Sequence, residues 1–527
     1  MTILGMEFAP LLVWGWFFLV LYIAVMLVFG VVGMARVKNS DDFATARGAY
    51  GPVFLAFAMT ATAASGATFL GLPALAYEAG LSSLWYAFVY PLGIYIGVLV
   101  CLVIIRRAGD NFGSRSIPEY LGDRFDSDLL RLLAAIFSIL LLFYLAGQLL
   151  SGAVMFFNFL GLETLTALLV TAAILMFYVT LGGAHADILT DGIQGALMLA
   201  LAIFVLFMFL IGFGIDGGLS GVLRKLNEID PALTTPFNED NPLFDSWWDL
   251  FAIFCAHLPL GLLPHIGNKL WALRSKEDQR RFITLSFICG LLLPAITCGG
   301  ILARALLGDD LLVEGNSPNN AIPALFIATL PTWIAALIGA GVLSAVMSTA
   351  DGLVVSSAQI FANDIYRRTI APRGRARHDP ARIDATALTI SRIATVMVLL
   401  CAVAIAWFTR DMNIALLVWT GVGGMMAASA GPLFLGALWR RSTRAGAVTS
   451  FVVGGVTFIL LKAGAIQGQW FNDGPLQSAG VWLESQAINP FACATLGSAA
   501  GIVAMVLVSL ASQPLDETHL KRVFGDR

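Results

Sequence analysis

The sequence predicts an all-α polytopic membrane protein. Three observations carry that expectation: the composition, a train of apolar segments, and the placement of the basic residues. Of 527 residues 58% are hydrophobic and only 12% charged, with a mean hydropathy of +0.83. A soluble domain of this size must cover its core with polar surface and does not sustain that balance. Apolar runs long enough to cross a hydrocarbon core of ~30 Å recur along the whole chain. The net charge of −3 says little about partners, because where the charges lie matters more than their sum. The six cysteines (Cys101, Cys255, Cys289, Cys298, Cys401 and Cys493) stand singly, so neither a disulfide framework nor a zinc site is implied.

Taken in order, thirteen segments of spanning length are expected, at about 9–35, 51–78, 82–106, 130–158, 162–182, 187–213, 247–265, 282–307, 332–362, 384–409, 412–437, 444–463 and 489–512. No basic start and no small-residue cleavage site precedes the first, so it reads as a membrane helix and not a removed signal peptide. An odd count puts the termini on opposite sides. All but five of the 31 Lys and Arg residues fall in the loops after helices 1, 3, 7, 9 and 11 or in the C-terminal tail. The exceptions, Arg224, Lys225, Arg304, Arg410 and Lys462, lie near the opposite face, where the 214–246 loop is acidic. The positive-inside rule then places the N-terminus outside and the C-terminus inside.

Two segments are interrupted. Helix 2 reads "FAMTATAASGATFLGLPALAY", with Gly66, Gly71 and Pro73 at its centre. Helix 7 reads "WWDLFAIFCAHLPLGLLPHIG", with Pro259, Gly261 and Pro264 in its second half. Proline frees the carbonyls of the preceding turn, and freed carbonyls in a bilayer must face protein, water or an ion. Helices 2–6 and 7–11 each begin with such a segment, the pattern of an inverted five-plus-five repeat with a site at the two breaks. Close packing of small residues is the competing reading. The chain then divides into helix 1 with its cytoplasmic loop (1–50), a first repeat (51–213), an extracytoplasmic loop (214–246), a second repeat (247–437), and helices 12 and 13 with a short cytoplasmic tail (438–527). Helices 1, 12 and 13 carry no polar constellation and are read as scaffold.

Helix 9 contains "SAVMSTADG", residues 344–352, in otherwise apolar surroundings. Polar groups at membrane depth are costly unless used. Ala345, Ser348 and Thr349 share one helix face, and two hydroxyls with a backbone carbonyl form a neutral oxygen site. Hard cations take oxygen ligands; a set without carboxylates suits a monovalent ion that must also leave. The alternative is that the hydroxyls bond back to their own helix.

The stretch "LSAVMSTADGLVVSSAQIFANDIYRR" resembles the ninth helix of the sodium:solute symporter family. "FATARGAYGPVFLAFAMTATAASGATFLGLPALAYEAG" is similar to that family's entry into helix 2, and "YVTLGGAHADILTDGIQGALM" to its junction of helices 5 and 6. "LLPHIGNKLWALRSKEDQRR" resembles its turn after helix 7, with Lys269 where Arg is more usual. The resemblance spans about residues 15–460. It implies a leucine-transporter-type fold in the plasma (inner) membrane and sodium-coupled uptake of a small solute by alternating access. Carried over by position, sodium would meet the carbonyls of Ala61, Ala64 and Ala345 and the hydroxyls of Ser348 and Thr349. Thr190 and Asp191 would lie on the ion's inward exit. Asp187 stands where the family more often has an apolar residue and is read as solvated at the cytoplasmic face. Asp351 is left open between easing ion release and pairing with a basic loop residue.

The solute is expected between the breaks of helices 2 and 7 and against helix 4. Its candidate contacts are Ser65, Gly66, Ala67 and Thr68, Tyr144 and Gln148, and His257 with Leu260. Ala63, Ala256 and Leu260 replace an Asp and aromatics of the proline-type members, and no amide and charge cluster for a sugar is evident. An apolar pocket with a few hydroxyls, open backbone N–H groups and broken-helix N-termini suits a small anion with a hydrophobic body, closest to the pantothenate and monocarboxylate branch. Proline or another amino acid, a sugar, or a proton-coupled or sensor-type member are the alternatives. His257 is equally readable as a packing residue. An enzyme is not expected, because five histidines and no membrane-embedded acidic pair offer no catalytic constellation. A channel would need a filter or charged ring. The basic loop 365–383 is expected at anionic head groups, with no role in nucleic-acid binding. Oligomeric state is not legible.

Overall fold

In the computed structural model the described residues, 8–36, 49–114, 116–267, 273, 276–373, 379–471 and 476–525, form helices and connecting turns, with no strand among them. Lys269 and residues 374–378 of the basic loop lie outside the described residues. Among the described residues ten helices are long and apolar enough to cross a membrane, and three shorter apolar helices accompany them, Pro52–Ala63, Thr164–Met176 and Trp247–Leu262.

After α1 (Phe8–Arg36), α2 (Pro52–Ala63) starts with proline at its first position, where a missing N–H costs nothing. It stops in mid-protein. Ala64 turns to extended backbone (φ −95°, ψ 105°), and the chain resumes as a π-helical turn, Ala67–Gly71, and then α3 (Leu72–Ala79). Next come α4 (Leu84–Phe112), the short α5 (Ile117–Phe125) and α6 (Asp128–Phe137). Ser116 and Ser127 cap α5 and α6 by accepting from the N–H groups of Glu119 and Leu130. One tight turn later α7 (Leu141–Leu160) continues the apolar run. The sequence predicts two segments at 162–182 and 187–213, but α8 (Thr164–Ile211) is one helix of 48 residues. The junction contains no proline to interrupt backbone hydrogen bonding, although the apolar stretches on either side remain distinct, at Thr164–Met176 and Asp187–Ile211.

An amphipathic helix, α9 (Gly218–Ile229), comes next at the surface. The capping box of Ser246 and Asp249 opens α10 (Trp247–His257). Pro259 and Pro264 break the next stretch into a single tight turn, Leu260–Leu262, and the short α11 (Pro264–Gly267). The chain then forms α12 (Lys276–Leu292), α13 (Thr297–Leu307), α14 (Ala321–Thr329) and α15 (Thr332–Gln359), the last running on as π-helix over Ile360–Ile370. The remainder is α16 (Pro380–Phe408), α17 (Ile414–Leu438), α18 (Arg444–Lys462), α19 (Gln477–Ser485), α20 (Pro490–Ala511) and α21 (Glu517–Phe524). Among the six unpaired cysteines only Cys401, on α16, is exposed.

The interrupted segments sit in the core. α2 packs against α8, α12 and α15, and α10 against α4 and α20. Each interrupted helix touches the bare backbone of a neighbour. A Cβ added at Gly97 of α4 would stand 1.7 Å from the carbonyl oxygen of Leu258, at the end of α10, and one at Gly300 of α13 would stand 1.9 Å from the carbonyl oxygen of Pro73 in α3. The segment 489–512, read as scaffold, is hydrogen-bonded to α10 at its start. Asn489 Nδ2 donates to Asp249 Oδ1 (2.8 Å) and Thr495 Oγ1 to the Ala252 carbonyl (2.8 Å).

Gly97→Ala should cost about 1–3 kcal/mol, because the obstructing atom is backbone and the helices must separate. Gly51, which has no atom within 4 Å of its would-be Cβ, supplies the control. A thermal unfolding scan should show a clear drop for Gly97→Ala and only a small one for Gly51→Ala, which changes an N-cap and nothing more; equal curves would mean the two backbones are not in contact.

Candidate ion and solute site

The break after α2 sets the chemistry. Ala64 N–H donates to the Thr60 carbonyl (2.9 Å), which leaves the carbonyls of Ala61, Thr62, Ala63 and Ala64 without the N–H that a continuing helix would supply. α15 supplies hydroxyls instead. Ser348 Oγ donates to the Ala61 carbonyl (3.1 Å) and Thr349 Oγ1 to the Thr62 carbonyl (3.4 Å). Ser344, one turn earlier, bonds back to the Gly341 carbonyl of its own helix (2.5 Å). The two readings of the polar stripe therefore apply to different residues: Ser344 is spent locally, whereas Ser348 and Thr349 reach the broken helix. Ala61, Ala345, Ser348 and Thr349 have no exposed surface and Ala64 is 3% exposed. This is a buried cluster of neutral oxygens from two helices, the donor set that fits a hard monovalent cation.

Beside it lie acids. Thr62 Oγ1 donates to Asp191 Oδ2 (2.8 Å), and Thr190 Oγ1 to the Asp187 carbonyl (3.0 Å). The carboxylates of Asp187, Asp191 and Asp351 offer oxygens that lie within 4.8 Å of one another, the latter two buried. This corrects the expectation of no membrane-embedded acidic pair. Asp187 and Asp191 share a face of α8 by their spacing, while Asp351 arrives from α15, a contact no local pattern reveals. It also corrects the solvated reading of Asp187, which is half-buried in this group. The ring of His265, from α11, meets that of Tyr144 edge-on at 5.4 Å.

A small cavity of about 30 Å³ begins on the other side of the break. It brings together Ser65, Ala67, Thr68, Tyr144, His257 and Leu260, all expected from the sequence, with Ala63 and Leu72. The sequence reading misses Tyr86 and Tyr90 on α4 and Ala415, Val418, Trp419 and Val422 on α17. Tyr86 and Tyr90 show the same four-residue spacing that singles out Tyr144 and Gln148. Trp419 stands inside an apolar helix and not at an interface, the one signal it gives. His257 Nδ1–H donates to the Ile253 carbonyl (2.6 Å), which leaves Nε2 of the neutral ring as an acceptor facing Tyr86 Oη at 3.5 Å. Trp419 Nε1–H donates to the same Tyr86 oxygen (3.0 Å). The lining holds no charged side chain.

Gly66 and Gln148 contribute differently. The break has no open backbone N–H groups of the kind expected from the sequence. Ser65 N–H donates to Thr68 Oγ1 (3.3 Å), Gly66 N–H to Gln148 Oε1 (2.9 Å) and Ala67 N–H to Ser65 Oγ (3.2 Å). Local side chains cap the resumed helix as an N-cap does. A Cβ at Gly66 would stand 2.2 Å from Ser151 Oγ of α7, so the break is pressed against that helix. Gln148 Nε2, fully buried, has no acceptor among the described residues.

A family model described as "Sodium:solute symporter family" matches residues 43–454. The chain is similar to the sodium/pantothenate symporter of Haemophilus influenzae, 28% identical over 84% of this chain and 89% of that one. It is also similar to the sodium/pantothenate symporter of Escherichia coli, 27% identical over 85% and 90%, and to the sodium/proline symporter of Haemophilus influenzae, 28% over 84% and 87%. Among solved structures it resembles a substrate-bound, outward-open Na+-coupled sialic acid symporter, with a TM-score of 0.72, 20% identity, and coverage of 96% and 99%. It also resembles Mhp1, a nucleobase-cation-symport-1 family transporter, with a TM-score of 0.53, 14% identity, and coverage of 91% and 97%. At these identities the solved structures speak for the fold alone.

Gln148→Leu strips the acceptor from the Gly66 N–H and should destabilise the protein by about 1–3 kcal/mol, while Gln148→Glu, compared at about pH 5 where a buried carboxyl is protonated at little cost, keeps an acceptor oxygen and should lose less. Thermal unfolding compares the two; equal losses would show that the bond to Gly66 is not what holds the break.

Proposed function

The chain belongs to the sodium:solute symporter family, and we propose that it imports a small organic solute, a monocarboxylate or pantothenate-like anion, by alternating access driven by an inward sodium gradient. The observation that carries the proposal is the reach of Ser348 and Thr349 across to the carbonyls of Ala61 and Thr62. Sodium takes its oxygens from Ala61, Ala64, Ala345, Ser348 and Thr349, linking α2 to α15 more tightly than two neutral hydrogen bonds do. The solute cavity begins at Ala63 and Ser65, on the same break. Ion and solute thus favour one arrangement of α2, and the coupling is reciprocal by linkage. Ser65, Ala67, Thr68, Tyr144, His257 and Leu260 contact the solute, with Gly66 and Gln148 shaping the break behind them. Its carboxylate is held by hydroxyl donors and by the nearby ion, because the lining has no basic side chain. The ion leaves past Thr190 and Asp191, where Asp187 and Asp351 keep the path favourable to cations.

Thirteen spans, counting the two apolar stretches of α8 separately, with the N-terminus outside, complete the reading. The reciprocal glycine contacts support an inverted repeat: Gly97, in the second helix of the first half, presses on the interrupted helix of the second, and Gly300 does the converse. The protein resides in the plasma (inner) membrane, where such a gradient exists. A second reading is a proline-like zwitterion, favoured by the uncharged cavity and its aromatic walls, since ring faces attract a cationic nitrogen.

Uptake into proteoliposomes tests both. Labelled acetate, pyruvate, lactate, pantothenate, proline and glucose are offered under an inward sodium gradient and under potassium, to the wild type and to Ser348→Ala/Thr349→Ala. The expected result is sodium-dependent accumulation of one carboxylate, reduced roughly tenfold or more in the double variant at limiting sodium. Selective uptake of proline favours the second reading, and uptake indifferent to sodium or to the double variant would sink the assignment of the ion site.

A further inference from the structure

Phe491 lies on α20, beyond the 43–454 stretch that the family model matches. It is nonetheless completely buried, and its ring touches three residues that line the solute cavity. Its centroid is 4.8 Å from that of Trp419 (63° between planes), 5.0 Å from Tyr86 (71°) and 5.8 Å from His257 (23°, stacked). Phe491 itself does not line the cavity. It meets three rings from three different helices, α4, α10 and α17, and among the described residues it is the one ring that contacts all three.

The position of this ring is fixed by polar contacts. Asn489 caps α20, its Oδ1 accepting the N–H groups of Phe491 (3.0 Å) and Ala492 (3.1 Å). The same side chain donates through Nδ2 to Asp249 Oδ1, while Asp249 Oδ2 accepts from the Ser246 N–H (3.1 Å) to cap α10. Two helix N-termini thus share one polar cluster, and Thr495 adds a bond to α10 one turn further on. The register of α20 against α10 is therefore set, and with it the place of Phe491. Edge-to-face and offset packing among rings depends on geometry, so the wall facing the solute can keep its shape only while its rear support does.

We infer that Phe491 is a positioning residue for solute selection, holding Trp419, His257 and Tyr86 in the cavity wall from a helix outside the family's shared segment. The inference rests on the reading of the cavity as the solute site. Without the ring the wall relaxes backward, the cavity widens, and small solutes lose more than large ones.

The test uses the full chain in proteoliposomes with the same labelled panel and an inward sodium gradient. Phe491→Leu should raise KM for the transported solute roughly fivefold to tenfold, with Vmax within about twofold of the wild type and the sodium half-saturation unchanged. Leu507→Ala, on the exposed face of α20, should match the wild type. Phe491→Leu combined with Trp419→Phe should raise KM by less than the product of the two single effects, because part of the first residue's action passes through the second. An unchanged KM, a fall in Vmax alone, or fully additive effects would overturn the inference. If the wild type transports a panel solute while Phe491→Leu behaves as wild type, only the inference fails. If the wild type transports none of them, the reading beneath it fails as well.

Discussion

The structure turns on four carbonyl groups at the end of α2. A helix that stops inside a membrane leaves carbonyls that no water can reach, and their desolvation cost is too large to leave unanswered. Residues 61–64 are small, so neighbouring helices can approach closely enough to supply partners. α15 answers two of the carbonyls with Ser348 and Thr349. The helix that resumes after the break has the opposite need, for acceptors, and Thr68, Gln148 and Ser65 meet it. Oxygen lone pairs thus collect on one side of the break and the cavity proposed for the solute opens on the other.

In that arrangement the oxygen cluster proposed to take sodium has no carboxylate among its own members. A buried carboxylate would bind a cation strongly and release it slowly. Here the acids stand one step away, Asp191 accepting from the Thr62 hydroxyl. Negative charge held at that distance attracts a cation along its route without trapping it, since Coulomb attraction falls with separation.

The legible parts of the sequence are those where function and local spacing coincide. Ser348 and Thr349 stand out because they are polar, adjacent and in an apolar helix. The two broken helices stand out because proline and glycine act on their own backbone. The cavity wall is less legible. Tyr86, Trp419 and Phe491 come from three helices far apart in sequence, and each taken singly resembles an ordinary apolar membrane residue. The acidic group eluded the reading for the same reason, Asp351 meeting Asp187 and Asp191 only after α15 packs on α8. The N–H groups at the break mislead in the other direction. A broken helix does free its donors, but Ser65 and Thr68 beside the break, and Gln148 on α7, are already placed to cap them. The continuity of α8 shows the limit of hydropathy alone, which divides apolar runs that the backbone need not divide.

The cysteine distribution has a practical consequence. Of six thiols, five are buried or half-buried and the exposed Cys401 sits on a long apolar helix, where a bilayer would surround it with acyl chains. Maleimide chemistry requires a thiolate in contact with water, and a lipid-bathed sulfur supplies neither charge nor solvent. The natural chain therefore behaves as a nearly silent background for site-directed labelling. Spectroscopic probes can be introduced pairwise on the water-facing ends of α4, α10 and α20, and their separation tracked through a transport cycle without first stripping the native cysteines.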